Sequence, residues 1–186
     1  ERQRVGGLLN NANWVENYPG FPGGITGEGL VDRFHQQVTE KGVEITYEEV
    51  RCLDYTDGQF WAETAQGGYQ APVAIIASGT LGSMPEGSIT PPGLRERVLT
   101  EILPVKGMTG KRIVIIGAGD LAFDYALNLG RSNTVMILNR SQERKCLPLL
   151  WERAGKFPGI QYWEQAQVAG IQAGGDGGLR LLIDSP

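Results

Sequence analysis

Lys111-Arg112-Ile113-Val114-Ile115-Ile116-Gly117-Ala118-Gly119-Asp120-Leu121-Ala122 decides the fold. The β-branched run Ile113 to Ile116 predicts a buried strand. A Gly-x-Gly-x-x-Ala turn follows at once. Leu121, Ala122, Tyr125, Ala126 and Leu129 then make an apolar stripe at helical spacing. Asn133 to Leu138 is a second β-rich run. Strand, glycine turn, helix and strand in this order predict a Rossmann-type β–α–β unit. Gly117 serves the tight turn, Gly119 lets the backbone approach a pyrophosphate, and Ala122 lets the helix pack on the strand. The helix N-terminus offers free N–H groups and partial positive charge to phosphates. A glycine turn with no ligand is the plainer alternative.

The end of the second strand selects the nucleotide. An NAD-specific site carries an acidic residue about 20 positions past the glycines, for the ribose 2′-hydroxyl. Here that place falls at Asn139, with Arg140, Arg144 and Lys145 just beyond. Cations there suit a 2′-phosphate and predict NADPH over NADH. A solvated basic loop is the competing reading.

Outward from this unit the chain is less regular. Residues 1–27 are rich in turn residues: Gly6-Gly7, Asn10-Asn11, Pro19-Gly20 and Pro22-Gly23-Gly24. Residues 28–41 predict an amphipathic helix with Leu30, Val31, Phe34 and Val38 on one face, ended by Gly42. Strands are predicted at Val43–Val50 with Cys52-Leu53, at Phe60–Thr64 after a turn at Asp57-Gly58, and at Ala71–Ala77. Residues 79–94 read as a connector, and 95–103 as a short helix. The domain division is placed near residue 107, giving 1–106 and 107–186.

Composition excludes several classes. The 186 residues are 41% hydrophobic and 20% charged, an ordinary globular balance. No apolar run approaches the roughly 18–20 residues of a membrane helix. The net charge of −4 gives no footprint for nucleic acid. Cys52 and Cys146 are too few for a disulfide framework or a cysteine zinc site. With no visible signal peptide, a cytoplasmic compartment is expected. The single histidine, His35, sits on the amphipathic helix, so hydrolytic triads and histidine metal sites are not expected. The 27 glycines are about twice the usual share of roughly 7%.

Three segments carry a family resemblance. Gly6-Gly7-Leu8-Leu9 with Val15-Glu16-Asn17-Tyr18-Pro19-Gly20-Phe21-Pro22 and Ile25-Thr26-Gly27 is the first. Ile75-Ile76-Ala77-Ser78-Gly79 is the second. Gly117 to Ala122 with Asn139-Arg140 is the third. Together they resemble the low-molecular-weight thioredoxin reductases, in order and approximate spacing, over nearly the whole chain. The resemblance implies an α/β protein of two Rossmann-like units, one for FAD and one for NADP(H). It also implies that the FAD unit is incomplete here, because the family has segments before Glu1 and after the NADPH unit. The chain is therefore expected to be a central piece of a flavoprotein.

By the same resemblance, Glu1 binds the FAD ribose, and Gly6 and Gly7 let the backbone approach FAD. Asn17 sits near the flavin, Val50 offers backbone contacts to the adenine, and Ala77, Ser78 and Gly79 pass close to the cofactor. Gly117, Gly119, Asp120, Leu121, Ala122, Asn139, Arg140 and Lys145 serve the NADP(H) side. A homodimer is a further implication.

One departure shapes the functional expectation. The family's redox Cys-x-x-Cys falls within Val98–Val105 here, and that stretch holds no cysteine; Thr100 and Leu103 stand near the two places. Disulfide exchange requires a thiolate. The segment Gly119-Asp120-Leu121-Ala122-Phe123-Asp124-Tyr125-Ala126 resembles the branch without the pair, the thioredoxin-reductase-like ferredoxin–NADP reductases. The expected activity is hydride transfer from NADPH to FAD and onward to a ferredoxin-like, flavodoxin-like or small-molecule acceptor. No side-chain catalyst is expected. A disulfide reductase using thiols outside the chain and a non-catalytic nucleotide sensor are the alternatives.

Overall fold

The computed structural model describes residues 4–80, 89–175 and 177–184. They form two compact units. The first holds residues 4–10 and 28–80, the second 11–27 and 89–184. This division differs from one at residue 107, because residues 11–27 and 89–106 pack within the second unit.

In the first unit, helix α1 (Gly27–Glu40) follows the amphipathic pattern. Leu30 and Val31 are buried. The helix ends in a Schellman arrangement: Gly42 adopts φ +67°, the Val43 N–H donates to the Val38 carbonyl at 3.2 Å, and the Gly42 N–H donates to that of Thr39 at 2.9 Å. Strands β1 (Cys52–Thr56), β2 (Gln59–Glu63) and β3 (Gly68–Ala71) form an antiparallel sheet in that order. The β1–β2 turn is Asp57-Gly58, with both residues at positive φ as a two-residue hairpin requires.

Two predicted strands of this unit form only at one end, Cys52-Leu53 in β1 and Ala71 in β3. Residues 43–50 lie outside any ladder, and Val43 and Val50 are exposed. Side chains hold this segment to the sheet instead: the Thr64 and Tyr69 hydroxyls donate to the Glu48 carboxylate. The run from Ala71 to Ala77 keeps only its first residue in β3, and Ile75 is 88% exposed. An apolar run becomes a buried strand only where a neighbouring strand satisfies its backbone. None of the described residues supplies that neighbour.

The second unit matches the opening prediction. Strands β4 (Arg112–Ile116), β5 (Thr134–Leu138) and β6 (Ile160–Trp163) form a parallel sheet in that order. Helix α2 (Asp120–Leu129) joins β4 to β5, and α3 (Pro148–Gly155) lies between β5 and β6. Ile113, Ile115, Val135, Ile137, Ile160 and Tyr162 pack on one core with Phe123, Ala126 and Leu129 of α2. Met136 and Leu138 turn to the other face, covered by the hairpin of β7 (Gln167–Ala173) and β8 (Leu179–Asp184). Val114 and Ile116 share that alternation on the outer strand and stay partly exposed, so β4 is buried on one face rather than two. In place of the predicted helix at 95–103 there are two short 3-10 turns, Pro92–Arg97 and Leu103–Val105.

Buried asparagines bracket β5. At its start, the Asn133 amide donates to the carbonyls of Met108 and Leu129, while its oxygen accepts the Lys111 N–H at 2.9 Å. At its end stands Asn139. No helix among the described residues is long and apolar enough to cross a membrane.

Candidate functional site

The glycine turn sits where β4 ends. The Gly117 N–H still donates to the Leu138 carbonyl at 2.9 Å, so the ladder runs into the turn. Gly117 adopts φ +118°, which excludes a side chain. Gly119 differs. Its φ of −88° and ψ of 178° suit any residue, and a Cβ there would meet no atom within 4 Å. Neither conformation nor packing requires glycine at 119. Helix α2 begins at Asp120 with no side-chain cap; within its first turn the Ala122 N–H donates to the Gly119 carbonyl at 3.0 Å. Ala118 and Ala122 are buried, and Leu121 is exposed beside the turn.

The loop after β5 folds back on the turn. Asn139 is buried, and its side chain works within the loop. The amide donates to the Glu143 carbonyl and to the Tyr162 hydroxyl oxygen, both at 2.9 Å, and its oxygen accepts the Ser141 N–H at 3.2 Å. The Lys145 N–H donates to the Ala118 carbonyl at 3.2 Å, and Lys145 and Gly119 form a parallel bridge. The Leu147 N–H donates to Oδ1 of Asp120 at 2.7 Å. Arg140 and Lys145 are exposed. The Arg144 guanidinium lies 4.1 Å from the centre of the Trp151 ring. Glycine turn, helix N-terminus and two exposed cations thus share one end of the parallel sheet. That donor set fits a phosphorylated dinucleotide.

The loop at 11–27 is fastened to the same unit. Val15 and Ile25 exchange backbone hydrogen bonds of 2.7 and 3.0 Å. Gly24, at φ +75°, lies under the Trp14 indole. The Asn13 and Trp14 N–H groups donate to the Asp124 carboxylate. Arg153 donates two bonds to Glu16, at 2.6 and 2.8 Å. Asn11 is held at both ends of its amide, by Glu101 and by the Leu103 N–H. Asn17 is exposed on this loop. Burial pushes the Asp124 carboxyl above the ordinary aspartate value, opposed by the two N–H donors and the charge of Lys106. Sequence reasoning quoted Asp124 only as part of a pattern and missed its role as a loop anchor.

The remaining predicted residues belong to the first unit, Glu1 lying outside the described residues. Gly6 has a structural reason to be glycine: φ is +91°, and a Cβ would stand 2.3 Å from Cγ2 of Val31. Gly7 and Gly79 also adopt positive φ, with open space where a Cβ would be. Val50, Ala77, Ser78 and Gly79 are exposed. Both cysteines are free thiols. Donation to Asp54 pushes the Cys52 thiol up, and burial does the same for Cys146.

Comparison with known proteins agrees with this geometry. The family model described as pyridine nucleotide-disulphide oxidoreductase matches residues 25–148, well over half of the chain. The bifunctional thioredoxin reductase/thioredoxin of Mycobacterium leprae is 33% identical over 178 residues, covering 92% of this chain and 38% of that protein. The thioredoxin reductase of Streptomyces coelicolor is 30% identical over 175 residues, covering 90% of this chain and 53% of the relative. The chain therefore spans about half the length of the curated relatives it matches. Among solved structures, thioredoxin reductase from Lactococcus lactis superposes with a TM-score of 0.82 at 23% identity, over 98% of this chain and 65% of that one. The T. acidophilum enzyme gives 0.71 at 24% identity, over 98% and 64%. The fold is the α/β, Rossmann-type fold of the thioredoxin reductases, present in part. Its glycine turn, parallel sheet and matched length make the chain a member of the pyridine nucleotide-disulphide oxidoreductase family.

Proposed function

We propose that this chain is the central part of an FAD-dependent NADPH oxidoreductase that hands electrons to a separate acceptor without a Cys-x-x-Cys of its own. The observation that carries the reading is Gly119, a glycine that neither its backbone angles nor its neighbours demand. The bound flavin supplies hydride acceptance and electron release singly or in pairs. The chain supplies binding and orientation. The glycine turn and first-turn N–H groups of α2 take the pyrophosphate, Ala122 keeps that helix close to β4, and Arg140 and Lys145 meet the 2′-phosphate. Asn139 acts through the loop it shapes. On the flavin side, family membership supports Glu1, Gly6, Gly7, Asn17, Val50, Ala77, Ser78 and Gly79. The proposed division by cofactor is 1–106 for FAD and 107–186 for NADP(H), which differs from the compact units in that residues 11–27 and 89–106 pack within the second of these.

The acceptor is proposed as a ferredoxin-like or flavodoxin-like protein or a small molecule, and the natural state as a homodimer. Residues 98–105 offer no thiol, and Cys52 and Cys146 are both held toward the neutral form. Thiolates are what disulfide exchange uses.

The test is the visible spectrum of the full-length natural protein before and after anaerobic NADPH. Flavin bands that bleach support the reading. A protein with no flavin, or one whose flavin NADPH leaves oxidised, overturns it and favours a nucleotide sensor. Stoichiometric reduction of a thioredoxin-type disulfide favours thiols outside these residues.

A further inference from the structure

The first-turn carboxylate of α2 poses a physical problem. Asp120 opens a helix whose N-terminus is read as a pyrophosphate site, and a carboxylate aimed at that space repels the ligand. The structure turns it aside, because Oδ1 accepts the Leu147 N–H at 2.7 Å. Leu147 immediately precedes α3, and Pro148 beside it has no N–H to give. The bond therefore closes the far end of the loop that carries Arg140 and Lys145. The near end is closed by Asn139, through Glu143 and Ser141. Between them, the Lys145 N–H reaches the Ala118 carbonyl at 3.2 Å.

We propose that Asp120 is a positioning residue for cofactor choice: its bond to the Leu147 N–H latches the 139–147 loop to the glycine turn and fixes Lys145 at the distance from the turn that a 2′-phosphate requires. The proposal rests on the reading of this site as one for NADP(H). Asp120 itself touches no nucleotide in this scheme. It acts through the backbone of the loop, so an uncharged acceptor replaces it. A ligand lacking the 2′-phosphate, held by the glycine turn alone, is indifferent to the latch.

The test uses the full chain and three variants: D120A removes the acceptor, D120N keeps an acceptor without the charge, and L147P removes the donor. Proline suits position 147, where φ is −58°. Calorimetric titration with NADP+, NAD+ and adenosine 2′,5′-bisphosphate reads affinity, and hydrogen exchange at the Leu147 amide reads the latch. D120A is expected to speed exchange at Leu147 and to lower the NADP+/NAD+ affinity ratio about tenfold, the scale of the charge-assisted contact that Lys145 then loses with the 2′-phosphate. L147P is expected to lower the ratio likewise, and D120N to preserve both ratio and protection. An unchanged ratio in D120A and L147P, with wild-type NADP+ binding intact, overturns the latch and leaves the site reading standing. D120N behaving as D120A assigns the effect to charge and also overturns it. A wild-type protein that binds neither dinucleotide removes both.

Discussion

The backbone N–H of Asn13 donates to Oδ2 of Asp124 at 2.9 Å, across 111 residues of sequence. Trp14 donates to the same carboxylate. Replacing Asp124 by Ala leaves two N–H groups without their acceptor. The expected loss is about 1–3 kcal/mol of stability, read by chemical denaturation. D124N keeps an acceptor and is expected to lose much less. The pH dependence has a definite sign. Burial raises the folded-state pKa above the ordinary 3.8, so the folded protein binds more protons than the unfolded one between those two values. Stability is favoured below 3.8 and declines as pH rises through the raised value. D124N is expected to flatten that slope, and an unchanged slope refutes the assignment.

Glu16 has the opposite sign. The bonds donated by Arg153 hold its carboxyl below the ordinary 4.5. Its contribution is present above 4.5 and is lost as pH falls through the lowered value. Both partners are substantially exposed, so the effect is small and screened by salt. E16Q is expected to reduce the loss of stability between neutral and acid pH at low ionic strength. A variant that tracks wild type at every pH shows the pair contributes nothing.

The two turn glycines separate folding from binding. Gly119→Ala places its Cβ in open space at an ordinary φ, so stability is expected to stay within about 0.5 kcal/mol of wild type. Dinucleotide affinity is expected to fall by about tenfold or more, because the methyl occupies the approach of the pyrophosphate. Gly117→Ala is forced to φ +118° and is expected to cost about 1–3 kcal/mol in stability. Melting curves and titrations on the pair distinguish the outcomes. Equal stability loss in both removes the argument from Gly119.

Arg140 and Lys145 are expected to matter for only one nucleotide. K145A and R140A each lower affinity for NADPH by about tenfold, the scale of a lost charge-assisted contact, while NADH changes little. Stopped-flow reduction of the full-length protein by each nucleotide checks this. Parallel losses for both nucleotides place these cations away from the 2′ position.

Much of the second unit was legible because its signals are local. Ile113 to Ile116, the glycine turn and the stripe from Leu121 to Leu129 each carry their own periodicity, and the parallel pairing follows from their order. The first unit was read less well. Val43–Val50 and Ile75-Ile76 have the composition of strands, but a ladder is a property of two segments, and composition shows only one. The site divides in the same way. Gly117 and Gly119 fall between β4 and α2, and Arg140 and Lys145 in the loop after β5, positions that local order alone makes readable. Asp124, Tyr162 and the Leu147 N–H take part through contacts between distant positions, and no spacing rule points to them. Asn139 was read for its place at the strand end, whereas its amide is engaged in shaping the loop.

The fastening of residues 11–27 has a consequence for the order of events at the ribosome. That segment is synthesised before its partners, the acceptor Asp124 and the donor Arg153, which follow more than a hundred residues later. Asn13 and Trp14 must therefore wait, through the whole synthesis of α1 and the antiparallel sheet, for a partner not yet made. Closing so long a loop is entropically costly, though the cost grows only slowly with length. It also makes this contact late and non-local. Nascent chains stalled before Asp124 should leave the early segment open to a protease, and chains released beyond Arg153 should protect it.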